Sequence, residues 1–111
     1  MTNYRRTFVP GATYFFTVNL ADRRATLLVD HSDLLRGAIR YVRRRHPFDI
    51  DAMVVLPDHL HAILTLPSGD ADFPLRWRLI KTWFSRHLPH GERRRASRID
   101  KGERGIWQRR Y

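Results

Sequence analysis

With 111 residues, 13.3 kDa and 42% hydrophobic residues, the chain suits one compact domain, 1–111, with a single core. Twenty-one Lys plus Arg against eleven Asp plus Glu give a formal charge of +10 and a pI near 11.3, a balance that draws polyanions. Cysteine is absent, which excludes disulfides, thiolate metal sites and a cysteine nucleophile; the apolar stretches fall short of a membrane span and no signal-peptide core follows Met1, so a cytoplasmic location is expected.

Pro10-Gly11 signals a turn, and Thr13 to Leu20 is aromatic and β-branched, which predicts a first strand. From Ser32 the pattern turns helical: Leu34, Leu35, Ala38, Ile39 and Val42 form one stripe, with Arg36, Arg40, Arg43 and Arg44 largely opposite, and His46-Pro47 ends it. Phe48 to Leu56 predicts a second strand, Pro57-Asp58 a tight connection, and His59 to Leu66 a third strand. A second amphipathic helix is expected from about Leu75 to Leu88, carrying Leu79, Ile80, Trp83 and Phe84 on its apolar side. Pro89 to Arg104 reads as a basic loop, and the chain ends on Gly105-Ile106-Trp107-Gln108-Arg109-Arg110-Tyr111. The order strand, helix, hairpin, helix predicts an α+β fold, a ferredoxin-like or RRM-like antiparallel sheet with helices packed on one face. Such a sheet serves many unrelated functions, so function has to come from the site.

The site candidate is Pro57-Asp58-His59-Leu60-His61. Residues two apart on a strand share a face, so His59 and His61 can aim both imidazoles at one metal ion. With six histidines in the chain, spacing alone does not decide the matter. Asp58 is most simply a turn former, Tyr14 and Phe16 share one side of the first strand with Phe15 on the other, and His31, His46, His87 and His90 read as surface or helix-end residues. Arginine outnumbers lysine heavily, and its planar fork suits phosphate and base contacts. Arg43, Arg44, Arg93, Arg94, Arg95, Arg98 and Arg104 are the candidate nucleic-acid contacts, although positive charge at the end of the first helix also suits the helix dipole.

Four blocks in one order, Pro10 to Asn19, Val55-Leu56-Pro57-Asp58-His59-Leu60-His61, Trp77-Arg78-Leu79-Ile80-Lys81 with Phe84-Ser85-Arg86, and Gly105 to Arg110, resemble the REP-associated tyrosine transposases. These are single-tyrosine HUH transposases, in which U is a bulky hydrophobic residue. The resemblance implies binding of a hairpin-forming single-stranded DNA, and DNA transposition by cutting and rejoining through a 5′-phosphotyrosine. It also implies a divalent ion, Mg2+ or Mn2+, held by His59 and His61, with manganese the better match to imidazole ligands. In the resembling proteins a downstream helix supplies the nucleophilic tyrosine, so the chain is expected to lack it, with cleavage impaired. Tyr111 falls where the Trp-Gln-Arg-Arg segment carries a structural aromatic residue. The alternatives are a basic RRM-like RNA-binding module and a non-functional transposase remnant. Monomer and dimer are equally compatible with the sequence.

Overall fold

A computed structural model describes residues 7–89, 91, 105–109 and 111. The elements run β1 (Thr13–Asn19), α1 (Leu27–Asp30), α2 (Ser32–Arg45), β2 (Asp49–Val55), β3 (His59–Thr65) and α3 (Phe73–His87). The strands form one antiparallel sheet in the order β1-β3-β2, so the α+β arrangement predicted from sequence is the one observed. None of the helices described is long and apolar enough to cross a membrane.

Alternation along β1 and β3 assigns the faces. Tyr14, Phe16 and Val18 of β1 are buried beside Leu60, Ala62 and Leu64 of β3, whereas the residues between them are half-buried or exposed. The helices cover the first set. Leu35, Ala38, Ile39 and Val42 of α2 join the same core as Phe73, Trp77, Ile80 and Phe84 of α3, and Phe16 meets Trp77 ring to ring at 5.3 Å. Where the helices cross, a Cβ on Gly37 would stand 2.8 Å from the Trp83 ring, so glycine is what lets α2 approach α3 there.

The boundaries differ from expectation by one or two residues, for local reasons. Helix α3 starts at Phe73 because the Asp72 carboxylate accepts from Leu75 N–H at 3.1 Å, and Pro74 follows in the first turn, where a missing N–H costs nothing. Strand β2 spans Asp49–Val55, shorter than Phe48 to Leu56 and exposed at six of its seven positions, as suits a sheet edge; its register shifts between Ile50 and Ala52, a bulge that leaves Asp51 without a partner in the ladder. Helix α1, a single turn, was not expected from the sequence.

One buried charge ties the covered side together. Arg76 of α3, 2% exposed, makes a bidentate pair with Asp70 at 2.8 and 3.1 Å and donates to the carbonyls of His46, Pro47 and Asp72. Every donor direction of the guanidinium thus meets an acceptor, which is what makes its burial tolerable. The Arg76 bond, then the Asp72 N–H, hold the Asp70 carboxyl below its ordinary range.

Candidate metal centre and nucleic-acid interface

His59 and His61 open β3 on the face that the helices leave uncovered, with ring centroids 5.0 Å apart. The connection before them is pinned on two sides: Pro57 O accepts from Leu28 N–H of α1 at 3.2 Å, and Asp58 O accepts from Leu20 N–H at 2.8 Å. Central position in the sheet then fixes the strand itself, since β3 pairs with β1 and β2 along its length.

Each imidazole has a partner on Nδ1. His59 Nδ1 lies 2.9 Å from Asp58 Oδ1, and His61 Nδ1 lies 3.0 Å from Thr17 Oγ1 across the β1 pairing. Metal-binding imidazoles are commonly held this way, with one nitrogen tied to a carboxylate or hydroxyl and the other presented to the ion. Nε2 is the atom each ring has left to offer. Asp58 is held in turn, its second oxygen accepting from Arg23 Nε, and the Arg23 bond followed by the His59 bond keep this carboxyl below its ordinary range. Asp58 is therefore more than a turn former: it links Arg23 to His59.

Two nitrogen donors fit a divalent ion but fill only part of its shell. Among the described residues no group of three or more His, Asp or Glu side chains converges on a metal position. Asn19 pairs with His59 in the ladder and lies on the same face of β1 as Thr17. The Phe15 ring stacks on His61 at 5.7 Å and is 54% exposed, which extends the histidine face with a flat aromatic surface.

The described tyrosines lie elsewhere. Tyr14 is buried on the covered side, its hydroxyl donating to Val9 O at 2.7 Å; Tyr41 sits under the Arg45 guanidinium at 3.9 Å on α2; Tyr111 packs against Phe16 and Phe73 at 6.2 and 5.8 Å. Tyr4, His90, Arg93, Arg94, Arg95, Arg98 and Arg104 fall outside the described residues.

The segment 105–109 runs antiparallel past the end of β1: Ala21 N–H donates to Ile106 O at 2.8 Å and Gln108 N–H to Asn19 O at 3.0 Å. Lys81 ties it to α3 by donating to Gln108 O at 2.8 Å, and burial lowers this ammonium to about 8. A cleft of about 590 Å³ lies between α3 and this segment, and neither His59 nor His61 lines it.

Arg43 and Arg44 stand on α2 with Arg36 and Arg40 around a second groove, on the helix side of β2. The structure thus brings His59 and His61 together and sets Arg43 and Arg44 apart from them. Sequence reasoning missed Thr17 and Arg23. Thr17 could be found only from the β1–β3 register, and nothing in the sequence marked Arg23 out from the other arginines.

No family model matches the chain. It is 46% identical, over all 111 residues, to a REP-associated tyrosine transposase of Escherichia coli K12, and 40% identical to a candidate one of Haemophilus influenzae. The chain spans 59% and 64% of those two proteins. A solved REP-associated tyrosine transposase bound to a REP hairpin superposes with a TM-score of 0.76 at 46% identity, covering 97% of this chain and 58% of that one. A candidate transposase of Deinococcus radiodurans, 18% identical with a TM-score of 0.64 over 96% of this chain and 80% of its own, shares the fold. Along its whole length the chain is homologous to the REP-associated tyrosine transposases, of which it spans about three fifths.

Proposed function

We propose that this chain binds hairpin-forming single-stranded DNA and carries the histidine pair that holds the divalent ion of a tyrosine transposase. The observation that carries the reading is the pair itself: His59 and His61 side by side on the uncovered face, each Nδ1 tied down and each Nε2 left to bind. The likeness to a transposase bound to a REP hairpin supports the choice of DNA. A divalent ion at these nitrogens would polarise a phosphate oxygen. Asp58 and Thr17 keep the rings from turning, Arg23 keeps Asp58 ionised, and the excess of arginine draws the strand. A cytoplasmic location goes with this role.

Cleavage and rejoining through a 5′-phosphotyrosine require a tyrosine hydroxyl on the histidine face, and Tyr14, Tyr41 and Tyr111 are held elsewhere. None of the described tyrosines supplies that hydroxyl, so the activity assigned to the described residues is DNA binding. With Mn2+ and a labelled hairpin carrying a single-stranded flank, a denaturing gel should show no covalent adduct; an adduct lost in Tyr111→Phe would make Tyr111 the nucleophile.

Titration against that hairpin, a plain duplex and the RNA of the same sequence tests the binding itself. The hairpin should bind tightest, with affinity falling steeply as salt rises. A preference for RNA would instead favour an RRM-like reader, to which the exposed Phe15 is suited. Calorimetry with Mn2+ on the wild type and on His59→Ala plus His61→Ala tests the metal, and equal heats would remove it.

A further inference from the structure

The second groove lies between α2 and the edge strand β2, with a volume of about 550 Å³. Its apolar lining comes from Ile39, Ile50 and Met53, and arginines 36, 40, 43 and 44 surround it. Arg43 is committed within the protein, donating to Phe48 O at 2.7 Å with Asp49 4.0 Å away. Among the described residues, Arg36 has only the exposed Asp33, at 3.9 Å, as an ion-pair partner. Arg40 and Arg44 are exposed, and no acid among the described residues lies within ion-pair distance of either. A stripe of like charges on a rigid helix is unfavourable by itself, and an external anion would relieve it.

We propose that this groove holds the sugar-phosphate backbone of double-stranded nucleic acid, with Arg36, Arg40 and Arg44 on phosphates of one strand and Ile39, Ile50 and Met53 against the sugars. The inference rests on the hairpin-binding reading and assigns the hairpin's paired stem to the groove, leaving the unpaired strand to the histidine face. Spacing supports it: the three arginines recur every fourth residue, so they share a helix face and span about 12 Å of its axis, which matches three to four steps of one duplex strand at about 3.4 Å each. Regularly spaced charge on a helix suits a regular backbone, whereas the flat histidine face with Phe15 suits an unpaired strand. An extended acidic peptide added to β2 is the competing occupant. The bulge at Asp51 and the carboxylates of Asp49 and Asp51 on that strand work against it.

The test uses the 111-residue chain and three DNAs: a hairpin with a single-stranded flank, the flank strand alone, and the hairpin without its flank. Arg40→Gln plus Arg44→Gln should weaken both hairpins at least tenfold, with a salt slope shallower by about two units, and leave the flank strand unchanged. Arg40→Lys plus Arg44→Lys should keep the slope. Both side chains are exposed, so thermal melts of the variants should coincide with wild type. Arg78→Gln plus Arg86→Gln removes the same charge from exposed positions on α3 and should cost much less. Hairpin affinity and slope unchanged in the Gln variant, an equal loss in the α3 variant, or an equal loss on the flank strand would each overturn the groove while leaving hairpin binding intact. Failure of the wild type to bind either hairpin would refute the hairpin reading, and the groove with it. Tighter binding of a polyglutamate peptide than of the hairpin, lost in the Gln variant, would assign the groove to protein.

Discussion

Leu60, Ala62 and Leu64 alternate along β3 with His59, His61 and Ile63, and the two sets meet different constraints. The first faces α2 and α3 at 0–1% exposure, where any lost volume leaves a cavity. The second faces outward, and what it needs is orientation, supplied by Asp58, Thr17 and the backbone ladder. Six adjacent residues thus divide between holding the fold and presenting the site. Substitutions on the two sides should separate loss of stability from loss of binding, and wherever they fail to do so the division is wrong.

The largest effect is expected on the covered side. Phe16→Ala should cost about 3–5 kcal/mol in denaturant unfolding, because the ring is fully buried against Trp77 and Phe73, whereas Phe15→Ala next door should cost about 1 kcal/mol or less. Similar costs for the two would erase the distinction between the faces.

Arg76→Met comes second, at about 2–3 kcal/mol, since it leaves Asp70 and three carbonyls without their donor while water can still reach Asp70. This pair also sets a pH dependence. The folded-state value of Asp70 is lowered, so its contribution is present above the ordinary 3.8 and is lost as pH falls through the lowered value. The stability gap between wild type and Arg76→Met should therefore narrow below pH 3.8, as followed by thermal melts in acid.

On the open side the readout changes. Asp58→Asn removes the charge that bridges Arg23 and His59, and Mn2+ should bind roughly 10–100-fold more weakly by calorimetry. Its melting temperature should move far less than that of Phe16→Ala. Thr17→Val is the smallest change, one hydroxyl from His61 with the β-branched shape kept, and should lower Mn2+ affinity by roughly tenfold or less with stability unaltered. A Thr17→Val protein that bound Mn2+ like wild type would show that the strand alone orients His61.

The sequence made the two faces legible because alternation is local. Seven residues of β1 and seven of β3 each show a two-residue period, and the stripe from Leu34 to Val42 declares α2 within three turns. Helix α1 escaped because Leu27–Asp30 is a single turn, too short for any period to develop. The start of α3 is marked by the Asp72 cap followed by Pro74, two residues ahead of the apolar pattern that predicts a helix from about Leu75. The supports of the histidines were beyond reach for a different reason: Thr17 and Arg23 meet His61 and Asp58 only through tertiary register, which the intervening residues do not encode locally. Arg76 looked like any other basic residue on a helix, and only the acceptors gathered from the α2–β2 connection make its burial intelligible.

The strand order β1-β3-β2 also bears on when the site comes into being. The β2–β3 hairpin closes through three intervening residues, so His59, His61 and Asp58 can come together early in folding. Thr17 and His61 are 44 residues apart, and the β1 ladder must wait for a much larger loop to close. A newly made chain would pass through a stage in which the histidines exist but His61 is still free to rotate. Ion binding would favour the last pairing of the sheet, so added Mn2+ should slow unfolding by holding β1 against β3.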